Sequence, residues 1–514
     1  RSNRIQDTIN LLDTSLEVGA AVPTSSYYMR LYFLLFFSVT LACSSPSEQE
    51  RAPRASGLPG ETLAKMHCGS CHRYVGPEML DRSTWEHRTL PEMGLRLGIG
   101  DVFSKNVLQV QQGAESLVME RIYPLSPRIH EEDYAKIVKF YLDNAPEKPL
   151  PQPMRPLLDT LMTEWKFEPI LISDGFQHNT TALGFDRETS TLWTGSPRGE
   201  VKVFRQGSPE RQLQEPGVFS AIKMHKGETY MLDLGMLGPH EKKKGRLLTS
   251  HGKVVLDGLH KPADVGFLDV NQDGTEDILV CNFGFETGNL AWYDGKTKEE
   301  TVLKDLPGAR NMVIQDMDGD GRKDVVVLFA QAMEGISIFY NKGRGKFKEE
   351  EVLTFSPVYG SSWFELADFN GDGKWDILYA NGDNADYSGT LKNYHGVRLF
   401  ENVSGKYTLK YFYPLYGATQ ARAADFDGDG DLDIAAIAYY RKEAGEGFVY
   451  LENKGNYTFQ PARFPEVSWG QWMVLELGDY NRDGKVDILL GAHDLARKPQ
   501  KVKTPTEVGV LYRK

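Results

Sequence analysis

The sequence has few cysteines, no excess of positive charge and only a short N-terminal apolar run. Four cysteines among 514 residues do not make a disulfide-dense scaffold. A net charge of -12 disfavours nucleic acid and anionic membrane surfaces as partners. The sequence also lacks a Ser/His/Asp signature, a glycine-rich nucleotide-binding loop and a histidine cluster typical of copper sites. These absences disfavour the common hydrolase, nucleotide-binding and copper-enzyme classes.

Length and composition indicate more than one domain. A chain of 514 residues exceeds the size that one ordinary hydrophobic core supports. Fifty glycines and an aromatic fraction of 11% are typical of a β protein rich in turns. We therefore expect a large β domain together with at least one smaller unit.

The N-terminal apolar run predicts an export signal. Arg30 precedes the run Leu31–Leu41, which is too short to span a bilayer of roughly 30 Å as a helix. Ala42 and Cys43 follow, so residues 29–42 read as a lipoprotein signal with Cys43 as the lipidated residue. A simple cleaved signal is the alternative, since Thr40 stands where leucine is usual. Residues 1–28 read as an extension upstream of the true start, and residues 43–56 as a polar tether.

The pentapeptide Cys68-Gly-Ser-Cys71-His72 is a C-x-x-C-H motif. Its two thiols can add to the vinyl groups of one haem, and the adjacent imidazole can then bind the iron. A thioredoxin-type pair would need a βαβ context, and a zinc site would need two more soft ligands nearby. The remaining cysteine, Cys281, lies in a strand-like apolar run and is predicted to be a buried free thiol. The sequence therefore predicts one covalently bound haem c.

Residues 57–145 read as a small helical domain around this motif. Glu61–His67 predicts a short helix, and Glu131–Asn144 predicts a second helix with apolar residues at helical spacing on one face. The segment resembles class I cytochromes c, in which two such helices pack together beside the haem. Residues 146–164 form a proline-rich, semi-rigid linker.

The second iron ligand is open between several residues. The segment Leu90-Pro-Glu-Met93-Gly94 resembles an LPxMG stretch of short cytochrome domains fused to propellers, which favours Met93. Met79, Met119 and His87 are the alternatives, and Met119 fits a core position better. His/Met ligation leaves no open iron position, so it suits electron transfer rather than oxygen activation.

A nine-residue pattern, D-x-[DN]-x-D-G-x-x-D, occurs five times in the C-terminal part of the chain. Oxygen ligands at positions 1, 3, 5 and 9, a backbone carbonyl at position 7 and a glycine at position 6 suit calcium. The alternative is a set of metal-free Asx turns. The predicted ligand positions are Asp269, Asn271, Asp273, Thr275, Asp277, Asp316, Asp318, Asp320, Arg322, Asp324, Asp368, Asn370, Asp372, Lys374, Asp376, Asp425, Asp427, Asp429, Asp431, Asp433, Asp479, Asn481, Asp483, Lys485 and Asp487.

These loops predict a β-propeller rather than EF-hands. No loop has the glutamate that an EF-hand needs at position 12, and a strand-like apolar run follows each loop. Repeats of this length with several short strands indicate propeller blades. The pattern resembles the FG-GAP/VCBS repeats of integrin-type propellers. Two degenerate repeats upstream, at 183–193 and 221–232, bring the expected number to seven blades over residues 165–514, with six or eight blades as alternatives. The early strand at 167–172 is predicted to close the ring by pairing with 508–512.

The expected fold is thus a small all-α cytochrome c domain followed by an all-β propeller. The whole resembles bacterial lipoproteins that join a monohaem cytochrome c domain to a calcium-binding VCBS propeller. That resemblance implies an envelope-anchored electron carrier with about five calcium ions, whose redox partner proteins the sequence does not identify.

Two other functions are left open. One is a haem-coupled oxidoreductase with a substrate, such as a carbohydrate, bound over the propeller funnel. The other is an adhesion or glycan-binding propeller, which leaves the haem motif unexplained. The predicted funnel residues are Arg310, Asn311, Asp383, Asn384, Asp386, Gln420 and Arg422.

Overall fold

The structure is a computed structural model that describes residues 53–100, 119, 121–172, 179–383, 390–494 and 506–514. The predicted signal, the lipidation site Cys43, and the funnel residues Asn384 and Asp386 lie outside these ranges. Among the described residues, no helix is both long enough and apolar enough to cross a bilayer.

A small helical unit precedes the β domain. Helix α1 (Gly60–Cys68) starts after Pro59, and helix α3 (Glu131–Asn144) ends before the Ala145-Pro146 step, which disfavours helical geometry. Between them lie a 3₁₀ turn (Pro77–Met79), a helical turn (Arg82–Thr84), a π-helical turn (Trp85–Thr89) and helix α2 (Leu90–Arg96). The predicted bounds of α3 are confirmed, and α1 extends one residue beyond its prediction at each end.

The core of the helical unit forms where α1 and α3 pack together. Leu63 and Ala64 of α1 and Ile137 and Tyr141 of α3 are at most 1% exposed, and they pack in one apolar cluster. Trp85 lies 4.4 Å from Tyr141 between ring centroids and donates its indole N–H to the carbonyl of Pro77. The i, i+3, i+4 spacing read from the sequence therefore selects the buried face of α3.

The β domain is a seven-bladed propeller. The described strands form seven four-stranded antiparallel sheets, and each blade is one sheet. Blade I consists of β2 (Ala182–Asp186), β3 (Thr191–Gly195), β4 (Glu200–Arg205) and β5 (Ser208–Gln214). Blade II consists of β6 (Phe219–His225), β7 (Glu228–Asp233), β8 (Gly245–Thr249) and β9 (Val254–Leu259). These two blades confirm the degenerate repeats predicted from the sequence.

The acidic loops fall in the five remaining blades. Blade III consists of β10 (Pro262–Leu268), β11 (Asp277–Asn282), β12 (Asn289–Tyr293) and β13 (Glu300–Lys304). Blade IV consists of β14 (Ala309–Gln315), β15 (Asp324–Phe329), β16 (Gly335–Asn341) and β17 (Phe347–Thr354). Blade V consists of β18 (Ser361–Ala367), β19 (Asp376–Asn381), β20 (Gly396–Val403) and β21 (Lys406–Pro414).

The last two blades include the closure of the ring. Blade VI consists of β22 (Ala418–Ala424), β23 (Asp433–Ala438), β24 (Phe448–Asn453) and β25 (Phe459–Ala462). Blade VII consists of β26 (Trp472–Gly478), β27 (Asp487–Ala492), β28 (Thr506–Arg513) and β1 (Trp165–Ile172). Strand β1 pairs antiparallel with β28, with Phe167 opposite Leu511, so the predicted closure is confirmed. The last blade is therefore built from both ends of the β domain, with β1 as its outermost strand.

The propeller core lies between neighbouring blades. The second strand of each acidic-loop blade is buried along its whole length, as in Asp324–Phe329, because other blades cover both of its faces. Its side chains alternate between the two inter-blade cores: Val325 and Val327 pack toward blade III, and Val326 and Leu328 toward blade V. Each propeller face carries a different set of connections. We call the face with the first-to-second strand turns the acidic-loop face, and the face with the second-to-third strand turns the helical face.

Candidate functional site

The five acidic loops share one backbone hydrogen-bond pattern. In each loop the N–H at position 6 donates to the carboxylate at position 1, over 2.8–3.1 Å. The N–H at position 5 donates to the side-chain oxygen at position 3, and the N–H at position 7 donates to the carboxylate at position 5. These hydrogen bonds give all five loops the same tight turn and fix the side chains at positions 1, 3 and 5.

The aspartate at position 9 joins its loop to the rest of the blade. One Asp324 oxygen accepts the N–H of Met317 at 2.8 Å, and the other accepts the N–H of Asn341 at 2.8 Å. The corresponding residues Asp277 and Asp376 also accept N–H groups from their own loop and one from the end of the third strand or the turn just after it. All five position-9 side chains belong to residues that are at most 1% exposed. Such a group is costly to keep charged without a cation.

Electrostatics at position 9 support a cation there. Burial raises the pKa of Asp433 to about 6 and that of Asp487 to about 7. Oδ1 of Asp487 is buried and has no hydrogen-bond partner within the described part of the chain. A calcium ion, which prefers carboxylate and carbonyl oxygens, would compensate these groups.

Two loops already gather three carboxylates into a cluster that fits a metal ion. Ligand oxygens of Asp316, Asp318 and Asp324 lie within 4.8 Å of one another. The same holds for Asp425, Asp427 and Asp429 in blade VI. All donors are oxygens, which is the donor set of hard cations such as calcium rather than of zinc or copper.

In two loops the side chain at position 7 is a cation and not a ligand. Arg322 pairs with Asp320, and Lys374 lies 2.8 Å from Asp372, so each neutralises the position-5 carboxylate of its own loop. Lys342, from the next turn of blade IV, lies 2.9 Å from Asp318. In the loops of blades IV and V, position 7 would therefore contribute only its backbone carbonyl.

The C-x-x-C-H motif begins at the end of helix α1. Cys68 is the last residue of the helix and is half-buried, whereas Cys71 is exposed. Burial, mainly against the α1/α3 core, raises the pKa of the Cys68 thiol to about 11. The two thiols are three residues apart at the end of the helix, a spacing that allows both to form thioether bonds to one haem.

His72 is held by its own backbone neighbour. Its Nδ1 lies 2.8 Å from the carbonyl oxygen of Arg73, and since a carbonyl can only accept, Nδ1 carries the proton. The lone pair is then on Nε2, the atom that a haem iron would take. Burial lowers the pKa of this imidazole, which favours the neutral, ligating form. The residues at the motif thus fit a covalently bound haem.

Helix α2 lies beside the motif and carries Met93. Pro91 has no N–H to donate within the helix, and the preceding turn widens so that the N–H of Leu90 donates to the carbonyl of Trp85. Tyr134 of α3 donates its hydroxyl to the carbonyl of Leu90, which fixes α2 against α3. Met93 is half-buried on this helix. Its role as an iron ligand stays a prediction.

The alternative ligands occupy different environments. Met119 is 3% exposed and packs with Leu95 and Tyr123, as expected of a core residue. Met79 is half-buried at the edge of the helical core. The side chain of His87 is 69% exposed on the π-helical turn, so it faces solvent.

The helical unit contacts the helical face of blades III, IV and V. Arg73, next to His72, donates to the backbone carbonyls of Glu334 at 3.0 Å and Phe355 at 3.4 Å, and pairs with Glu351. The Thr84 and Thr390 hydroxyls lie 2.7 Å apart. The acidic loops are on the opposite face, so the two predicted cofactor regions are separated by the thickness of the propeller.

The proline-rich linker is fixed to the propeller as well. Gln152 donates to the carbonyl of His395 at 2.9 Å, and Arg155 donates to that of Pro414 at 2.6 Å. Arg155 also pairs with Glu446 of blade VI. The linker therefore follows the helical face toward blade VII.

The predicted funnel residues are mostly used between blades. Asn311 is 2% exposed and donates to the carbonyl of Phe364 in the next blade at 3.0 Å. Gln420 is 7% exposed and exchanges two hydrogen bonds with the backbone of Leu475, at 2.8 and 2.9 Å. Both follow a β-bulge in the innermost strand, which turns the side chain toward the neighbouring blade. Arg310 is the extra residue of one such bulge.

Charged groups of the innermost strands form two ion-pair sets; the sequence singled out Arg422 as a funnel residue, but not its partners or the second set. Arg422 pairs with Glu365 at 2.8 Å and with Glu476 at 2.9 Å, joining blades V, VI and VII. Lys223 pairs with Asp264 at 3.1 Å, joining blades II and III. A charged residue in an innermost strand could have indicated an ion pair. The sequence does not show which residue is the partner, because the partners belong to different repeats. Asp383 lies at the rim of blade V, where its N–H donates to the carbonyl of Gly360 at 3.0 Å.

Comparison with known proteins agrees with the blade structure. A family model described as FG-GAP-like repeat matches residues 269–327, 316–379 and 425–490. Each matched range begins at one acidic loop and ends in the strand after the next, so the FG-GAP-like repeats include all five acidic loops of blades III to VII.

Curated relatives match part of the chain. Cartilage acidic protein 1 of Mus musculus is 28% identical over 180 residues, which is 32% of this chain and 26% of that protein. The Xenopus tropicalis protein of the same name is 25% identical over 262 residues, 44% of this chain and 39% of that protein. The Homo sapiens protein is 28% identical over 180 residues, 32% of this chain and 25% of that protein. The chain thus spans between about a quarter and two fifths of the length of these relatives.

Proposed function

We propose that this protein is a monohaem c-type cytochrome that transfers electrons, with a calcium-stabilised propeller as its docking module. The observation that carries the proposal is the C-x-x-C-H motif at the end of α1, with the Nδ1 proton of His72 fixed on a backbone carbonyl. That arrangement leaves Nε2 of His72 free to bind iron while Cys68 and Cys71 hold the porphyrin edge. A redox pair of thiols alone would not need the fixed imidazole.

The residues that would hold the haem have distinct tasks. Cys68 and Cys71 would hold the haem through two thioether bonds, His72 would bind its iron, and Met93 on α2 is the proposed second iron ligand. When bound, the haem supplies a one-electron couple whose potential the axial ligands and the surrounding burial set. The α1/α3 core excludes water from one side of the site through residues such as Leu63 and Tyr141.

The propeller gives this site a rigid support. Its helical face binds the helical unit through Arg73 and through the linker, as described above. About five calcium ions on the opposite face would neutralise the loop carboxylates and hold the first two strands of each acidic-loop blade together. The propeller surface that the helical unit leaves uncovered is the proposed docking surface for a redox partner protein.

We place the protein at a bacterial cell envelope, tethered through a lipid on Cys43. The support is the signal-like segment at 29–42 followed by a polar tether, since these elements fit an exported and anchored domain. Covalent haem attachment fits such a compartment. The tether would hold the haem unit close to the membrane that supplies or accepts electrons.

A direct test is the absorption spectrum of the full chain produced with a c-type haem maturation system. We expect a reduced-minus-oxidised c-type α-band that stays with the polypeptide under denaturing conditions. The double variant Cys68→Ala/Cys71→Ala should lose this band, whereas Cys281→Ala, which changes a buried cysteine outside the motif, should keep it. A parent chain that folds without acquiring haem would contradict the proposal.

A further inference from the structure

A short turn of blade III reaches from the propeller to the proposed haem site. Between β11 and β12, Glu286 accepts hydrogen bonds from Arg96 and from the hydroxyl of Tyr123, both in the helical unit. The side chain of Glu286 is 10% exposed and that of Arg96 is 19% exposed. The contact is therefore a charge pair largely removed from solvent, for which screening is weak.

Arg96 lies on the same short helix as the proposed second iron ligand. It is the last residue of α2 and follows Met93 by three positions, so the two side chains share one face of the helix. Leu90, at the start of α2, and Leu97, just after its end, pack in the same apolar cluster as Cys68. A change in the charge at Arg96 therefore acts close to where the haem would bind.

Two carboxylates and one aromatic ring contact this guanidinium within the described part of the chain. Glu92, one turn earlier on α2, lies 3.5 Å from Arg96, and the ring of Tyr123 packs under the guanidinium at 5.1 Å. Glu286 is an acidic partner that comes from the propeller. Arg96 therefore pairs with a carboxylate of the helical unit and with one of blade III.

The turn that carries Glu286 is held firmly. Glu241 of blade II, 2% exposed, accepts the N–H of Glu286 at 2.7 Å and that of Thr287 at 3.3 Å. Gly284 adopts φ +68°, and a Cβ there would come within 1.6 Å of the carbonyl oxygen of Thr287. The carboxylate of Glu286 is consequently presented from a fixed backbone rather than from a loose loop.

We propose that Glu286 is a positioning residue through which the propeller sets the reduction potential of the haem, by pairing with Arg96 beside Met93. This inference rests on the proposed function. An oxidised haem has one more positive charge than a reduced haem, so a nearby negative charge favours oxidation and lowers the potential. The propeller would then act on the haem electronically as well as by docking partners.

The test is redox titration of the haem-loaded full chain and three variants. Glu286→Gln leaves Arg96 without its propeller partner and should raise the midpoint potential. Arg96→Gln should lower it, and the double variant should return close to the parent value because the net charge is restored. Glu286→Asp keeps the charge, so its midpoint potential should stay near that of the parent. The same is expected of Glu299→Gln, which removes an exposed carboxylate on the opposite face of the same blade.

A purely structural role gives a different pattern. If Glu286 only held the helical unit in place, both single variants would loosen it, admit water and lower the potential together. Hydrogen exchange of the α2 amides, measured in the same proteins, reports that loosening directly. A normal haem spectrum with an unchanged or lowered potential in Glu286→Gln would overturn this inference alone. Absence of haem from the parent chain would overturn the proposed function and this inference with it.

Discussion

Replacing Asp324 by Asn should destabilise the propeller strongly in calcium and much less in a chelator. Asp324 is fully buried and accepts two backbone N–H groups, from Met317 and Asn341, each at 2.8 Å. An amide has only one acceptor oxygen, so one of these N–H groups loses its partner. The same substitution also removes a charged ligand from the blade IV loop.

The expected cost has two parts. Losing a hydrogen bond to a charged acceptor costs about 1.5–3 kcal/mol of the free energy of unfolding. A calcium ion present at 100 times its Kd contributes about 2.7 kcal/mol, which the variant loop would forfeit. We therefore expect about 4–6 kcal/mol in calcium. In chelator the second part vanishes, and the burial that raises the pKa of Asp324 penalises the wild-type carboxylate, so the cost should stay at or below about 1.5–3 kcal/mol.

Urea unfolding followed by tryptophan fluorescence, with and without calcium, measures this difference. Asp186→Asn is the control for an aspartate outside the acidic loops, because half-buried Asp186 accepts the N–H of Glu188 at 3.0 Å in a blade I turn that lacks the ligand pattern. The control should cost the same in both buffers. Equal losses for Asp324→Asn in calcium and in chelator would show that the loop binds no stabilising ion, which would refute the reasoning.

Three further predictions concern other parts of the molecule. Arg422→Ala leaves Glu365 and Glu476 without their cationic partner. Because the three side chains retain 15–27% exposure, we expect the free energy of unfolding, measured with a chemical denaturant, to fall by about 3 kcal/mol, near the low end for buried pairs. Burial raises the pKa of Glu334 from 4.5 to about 7. The protonated side chain therefore contributes fully to the free energy of unfolding below pH 4.5, and this contribution should fall by up to about 3 kcal/mol as the pH rises to 7. Unfolding of Glu334→Gln should lack that pH-dependent component, and an identical pH profile would contradict the assignment. Met93→Ala should abolish the sulfur-to-iron charge-transfer band of the ferric protein. Met119→Ala should keep the band and lower the free energy of unfolding by about 2–5 kcal/mol, because it truncates a buried side chain. The reverse result would identify Met119 as the iron ligand.

Local patterns explain why much of the fold was predictable. The ligands of each acidic loop lie within nine residues, and the following strand is a continuous apolar run, so neither needs knowledge of distant chain segments. Helix α3 was likewise readable from apolar spacing and acidic residues in its first turn. The repeat period gave the seven blades, including the two whose loops lack the ligand pattern.

The roles of the innermost-strand side chains could not be predicted in this way. Asn311 and Gln420 resemble funnel-lining polar residues in the sequence, but a bulge before each one turns it toward the next blade. A bulge is a property of the pairing between two strands, so the sequence of one strand does not show it. The same limit applies to Arg422, whose partners are about 55 residues away in each direction.

The sequence by itself determined which chemistry each segment can support: thiols and an imidazole for haem attachment, and oxygen ligands at fixed spacing for calcium. These are local properties, because the atoms involved are joined by a few backbone bonds. Only the tertiary structure decided where the two sites lie relative to each other. It put the helical unit and the acidic loops on opposite faces of the propeller, and it brought Glu286 to Arg96 across 190 residues of chain. Such contacts depend on how whole blades and helices pack, which no short stretch of sequence specifies.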